Sequence, residues 1–170
     1  MLAAGVVAIV SAMLDWYELT DEAGSETFKG SESTGGLAAI GFGIGLAIVG
    51  IVLLRRGART GGKGSSITAI VFSLFILFLS GYSVASPGDA VASFERSDIS
   101  EAYGISEDQA EAAVKAAIAE GDLEVKAEAG AMLGIVPGLL GTLAGILGIV
   151  QARKIRGQAR GDSAAPDPTG

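Results

Sequence analysis

The chain has no cysteine, no histidine and no asparagine, and only 18% of its 170 residues are charged. Without cysteine its loops hold no disulfide, and without asparagine there is no N-linked glycan acceptor. Without histidine the commonest transition-metal ligand and the usual general base near neutral pH are missing. A serine nucleophile would lack its common partner, and Ser106, Glu107 and Asp108 read as a helix cap rather than a triad. The expectation is a protein with no catalytic residues, no cofactor and no metal site. A net charge of −7 also argues against nucleic acid as a partner.

What the chain does have is apolar sequence in four blocks: 2–17, 37–54, 67–86 and 130–152, of 16, 18, 20 and 23 residues. The last three contain no Asp, Glu, Lys or Arg. A bilayer core about 30 Å thick takes roughly 20 helical residues. The expected fold is therefore all-α: a polytopic membrane protein with four transmembrane helices over residues 1–152 and a small helical extracytoplasmic segment, 87–129, between the third and fourth. Residues 153–170 read as a basic juxtamembrane end and a disordered tail. Block 1 is the shortest, and Trp16 and Tyr17 read as its interfacial anchor.

Charge sets the expected orientation. Arg55, Arg56, Arg59 and Lys63 lie between blocks 2 and 3, and Arg153, Lys154, Arg156 and Arg160 follow block 4, together eight of the twelve basic residues. Residues 15–36 and 87–129 carry net charges of −5 and −8. Short basic connections stay inside, so a cell-membrane protein with cytoplasmic N- and C-termini is expected, its basic groups meeting anionic lipid headgroups. The stretch GARTGGKG, 57–64, approaches a phosphate-binding loop but has Gly64 where Ser or Thr should stand, and it joins two apolar helices instead of following a strand. It reads as a charged turn, with no nucleotide.

In the larger outer segment Ser106 and Gln109 form a capping-box pattern and Gly121 a helix stop. Ala110, Val114, Ala117 and Ile118 recur at helical spacing, a stripe suited either to the chain's own bundle or to docking a partner. A second short helix is expected near Ser97–Tyr103, and 122–128 reads as extended chain or as a lead-in to block 4. The carboxylates lack the alternation of a calcium loop.

Glycines dominate two of the blocks. Gly41 and Gly45 form one four-residue pair, and Gly130, Gly134, Gly138, Gly141 and Gly145 continue the pattern in block 4. In lipid such spacing lets helix backbones approach closely, so blocks 2 and 4 are the expected packed pair, either within one subunit or across an oligomer. Ser73 and Ser80 share a face of block 3, and Pro137 predicts a kink. The arrangement resembles tetraspan membrane proteins in span count and in its larger second outer segment, but lacks the cysteines of tetraspanins and the disulfide of claudins. The expected function is a non-enzymatic accessory or scaffold subunit, packed with itself or with other membrane subunits; the alternative is a small channel or transport component formed by oligomerisation.

Overall fold

The computed structural model describes residues 1–56 and 63–162. Three of its helices are long and apolar enough to cross a membrane: α2 (Thr34–Arg56), α3 (Lys63–Ala85) and α7 (Ala129–Asp162). Over the spanning parts, Thr34–Arg55, Gly64–Ala85 and Ala129–Lys154, mean hydropathy reaches 2.7, 2.1 and 2.1. Helices satisfy their own backbone groups, which lipid cannot do for them. Pro137 is fully buried inside α7, and the helix continues through it.

The first apolar block corrects the four-span expectation. Its helix, α1 (Leu2–Ala12), has 11 residues and rises about 16 Å, little more than half of a hydrocarbon core of about 30 Å. The helix stops at Met13 because Asp15–Asp21 leaves as a β-strand. Among the described residues there are three candidate spans, not four, and the fold is largely helical but not all-α. The likeness to tetraspan proteins falls with the fourth span, as does the even-number argument for an inner N-terminus. α1 instead wedges antiparallel along α2: a Cβ on Gly5 would stand 2.6 Å from the Ala47 nitrogen, and one on Gly50 2.5 Å from that of Leu2.

Above the bundle, β1 (Asp15–Asp21) and β2 (Gly24–Lys29) form a hairpin. Asp21 Oδ1 turns the chain by accepting the N–H groups of Ala23 and Gly24 at 2.7 and 3.1 Å. β3 (Glu124–Ala127) pairs with the other edge of β1, giving the antiparallel order β2-β1-β3. The ladder shifts between Asp15 and Tyr17, so Trp16 is the extra residue of a bulge. That shift allows two successive aromatics, Trp16 and Tyr17, both to be buried. They are the core of a cap on the helix bundle, and not a lipid-facing anchor.

Three short helices complete the cap: α4 (Pro87–Phe94), α5 (Arg96–Tyr103) and α6 (Glu107–Glu120). α6 begins as its sequence specifies, with Ser106 Oγ accepting the Gln109 N–H at 3.3 Å and Gln109 Oε1 accepting the Ser106 N–H at 3.0 Å. It ends at Gly121, whose φ of 86° is the left-handed conformation a helix stop needs.

Candidate functional site

Two features distinguish the molecule: a serine–glycine seam between α3 and α7, and an acidic cleft in the cap. The seam repeats every seven residues on both helices. Ser80 meets Gly134, Ser73 meets Gly141 and Ser66 meets Gly148, with Leu77 against Gly138 and Ile70 against Gly145 between them. A Cβ at Gly141 would stand 3.0 Å from Ser73 Cβ and still closer to its hydroxyl, so only glycine admits α3 at this distance. Close approach replaces the hydrophobic drive that lipid does not supply, and brings Cα–H groups within reach of oxygen. Ser73 and Ser80 are fully buried and their hydroxyls find no conventional partner. Both are closed off inside the chain, and so line no passage between copies.

The glycines singled out from sequence therefore divide. Gly134, Gly138, Gly141 and Gly145 serve the α3–α7 seam, and Gly130 packs against Trp16. Within one chain the expected pairing of blocks 2 and 4 is corrected: α7 pairs with α3 and α1, while α2 pairs with α1 and α3. Leu46 of α2 reaches Gly141, but α1 fills most of the groove between α2 and α7. Gly45 lies against the Phe72 ring, whereas Gly41 has open space where its Cβ would be. The repeat was legible in the sequence, but the partner was not, because glycine spacing says how closely a helix can be approached and not by which neighbour.

The basic residues sit at the helix ends away from the cap. Arg55 lies in the last turn of α2, Arg153 and Lys154 in α7 beyond its apolar part, and Arg56, Lys63 and Arg156 fall within the helical backbone. Arg59 lies outside the described residues, as do 57–62 of the GARTGGKG stretch and the tail from Ser163. The stripe on α6 turns inward: Ala110 is buried, Ile118 lies over Gly88, Val114 packs on the cap core, and Ala117 is half-buried. In this chain it covers the cap core.

The cap is locked to the bundle by Trp16. Its ring is fully buried between Gly30 and Gly130, at either of which a Cβ would stand 2.5 Å from it, and its Nε1 donates to the Ser11 carbonyl at 2.9 Å. Tyr17 Oη and Ser83 Oγ share a buried hydrogen bond of 2.6 Å. Burial pushes the Tyr17 hydroxyl up to about 12, partly offset by that bond.

Beside Tyr17 opens a cleft of about 310 Å³ between the hairpin and α4–α5. Three carboxylates line it: Glu32, Glu95 and Asp98. Glu95 Oε2 accepts the Thr34 N–H at 3.4 Å, at the start of α2, while Oε1 is buried without a partner. Burial is the main cause that pushes the Glu95 carboxyl up to about 7, with Asp98 adding to it and the Thr34 bond opposing it. The sequence reading missed this site. Glu32 is far in the chain from Glu95 and Asp98, and no local pattern marks the three as one site.

Among the described residues no group of three His, Cys, Asp or Glu is placed to hold a metal ion. Compared with protein-family models, curated proteins and solved structures, the chain matches none. The class its architecture defines is that of a largely helical, multi-pass membrane protein.

Proposed function

We propose that the chain is a non-enzymatic integral membrane subunit, an accessory or scaffold component that holds an acidic cap on the outer side of the cell membrane within a larger assembly. The observation that carries this reading is how the cap is fixed. β1 receives one partner from the start of the chain and another from residues 124–127, just before α7, and Trp16 is lodged between glycines from both regions. A cap tied at both ends keeps one orientation above the lipid, as a scaffolding element requires. The basic ends, Arg55 and Arg153–Lys154, support placing the α2–α3 connection and the C-terminus in the cytoplasm. The Met1 end of α1 points the same way, beside Gly50.

The face for a partner helix is on α2. Leu37, Gly41, Ile44, Ile48 and Ile51 form one exposed stripe, and Gly41 is where a second backbone would approach most closely. Native mass spectrometry after gentle extraction tests the reading. It is expected to show this chain with partner subunits or further copies, and Gly41→Leu is expected to release them without lowering the stability of the isolated chain. A monodisperse monomer without partners would count against it.

A further inference from the structure

We infer that the end of the bundle away from the cap holds one anionic phospholipid, with an acyl chain in the groove below α1 and its phosphate at Arg55 and Lys154. The site follows from the reach of α1. That helix packs against both α2 and α7, and Leu2 in its first turn lies level with Gly50 of α2. Beyond that level α2 continues to Arg56 and α7 to Asp162. Between them is a cavity of about 610 Å³, well within the range of about 300–1,000 Å³ typical of small-molecule sites. Leu2 roofs it, and Leu53 and Leu54 of α2 and Ala144 and Leu147 of α7 form its sides.

The depth of the cavity selects a lipid chain. Gly50 precedes Arg55 by five residues, about 8 Å of helix, so the groove lies in the leaflet next to the basic helix ends. Ser66 and Gln151 are the only polar side chains in its lining. Water would find few partners there, whereas a hydrocarbon chain makes the dispersion contacts that the apolar walls offer.

Charge selects the headgroup. Lys154 stands one turn beyond Gln151 and two beyond Leu147, on the cavity's face of α7, and Arg55 adjoins Leu54. Both side chains are exposed, and neither forms an ion pair among the described residues. No acidic residue stands between Glu32 and Asp89 or between Glu128 and Asp162, although eight basic residues fall in those two stretches. The counter-charge therefore comes from outside the chain, and long basic side chains can reach a phosphate while their stems stay on the apolar surface. A zwitterionic headgroup brings an ammonium of its own, which these cations disfavour. Attraction of basic helix ends to an anionic leaflet needs no groove; the cavity adds a fixed place for a single molecule. The assignment shares the membrane placement of the proposed subunit but not its partners.

The test is native mass spectrometry of the full chain, delipidated in mild detergent and then supplied with phosphatidylglycerol or phosphatidylcholine of the same acyl chains. One phosphatidylglycerol per chain is expected, retained about tenfold more strongly than phosphatidylcholine. Ala144→Leu puts a larger side chain into the cavity and should abolish the one-lipid step for both lipids, with no loss of thermal stability in the delipidated chain. Arg55→Gln combined with Lys154→Gln, at exposed side chains that leave the fold intact, should lower phosphatidylglycerol to the level of phosphatidylcholine; this pair decides the matter alone if Ala144→Leu does not fold. Equal retention of the two lipids by the wild type, a ladder of several lipids with no step at one, wild-type retention by a folded Ala144→Leu, an undiminished preference in the double variant, or a second copy of the chain in place of the lipid would each overturn the assignment. Loss of the lipid step would leave any partner subunits in the spectrum of the gently extracted protein, and so would not touch the subunit reading.

Discussion

The bundle and the cap solve the same packing problem with opposite residues. In the bundle, α7 removes side chains at every seam position so that α3 can come close, and the space left is filled by serines alternating with Leu77 and Ile70. In the cap, one very large side chain, Trp16, fills the space left by Gly30 and Gly130. The difference reflects the two solvents. Lipid gives helices no hydrophobic reason to associate, so dispersion at short range has to suffice. The cap meets water, where burying an indole is itself a large driving force.

Trp16→Ala should be the most damaging single change, costing about 3–5 kcal/mol, because it empties the joint between cap and bundle at once. Thermal unfolding in mild detergent followed by circular dichroism measures it. If the loss were confined to strand signal while the helical transition stayed put, cap and bundle would be independent units, and the joint described above would not exist.

Gly141→Leu probes the other side of the comparison. It drives a branched side chain into Ser73 and Leu46, and overpacking of this kind costs about 1–3 kcal/mol. The same substitution at Gly41, where nothing lies within 4 Å, should leave unfolding unchanged. Equal effects at the two glycines would show that the seam is not formed as described.

A smaller effect separates the two regions by pH. The Glu95 carboxyl goes from an ordinary value near 4.5 to about 7 on folding. The folded cap therefore holds this proton more tightly than the unfolded chain, so stability falls as pH rises from 4.5 through 7 and levels off above that. The group is partly exposed, so the loss is about 1–2 kcal/mol. Denaturation monitored through Trp16, the only tryptophan, should show this slope in the wild type and its absence in Glu95→Gln.

How much was legible follows the same division. The spans of α2, α3 and α7 could be read because an apolar run with no charge has few other uses, and the α6 caps because Ser106, Gln109 and Gly121 act locally. α1 was misjudged because its apolar run continues in composition through Met13 and Leu14 to two aromatics, while its backbone has already turned. β1 depends on partners at 24–29 and 124–127, and its buried pair Trp16–Tyr17 violates strand alternation through a bulge. Long-range pairing of short, charged strands leaves little periodicity to detect. The cleft inherits that difficulty, since Glu32, Glu95 and Asp98 meet only once the sheet is in place.

The central claim is a cap on the outer face and basic helix ends on the inner one, and the chain's lack of cysteine makes it directly testable. Single cysteines at Glu120, on the cap, and at Arg55 and Lys154, on the helix ends, would be labelled in intact cells with a membrane-impermeant maleimide. Glu120→Cys should label at once, and Arg55→Cys and Lys154→Cys only after permeabilisation. Labelling of Arg55→Cys from outside, or of Glu120→Cys only in broken cells, would contradict it.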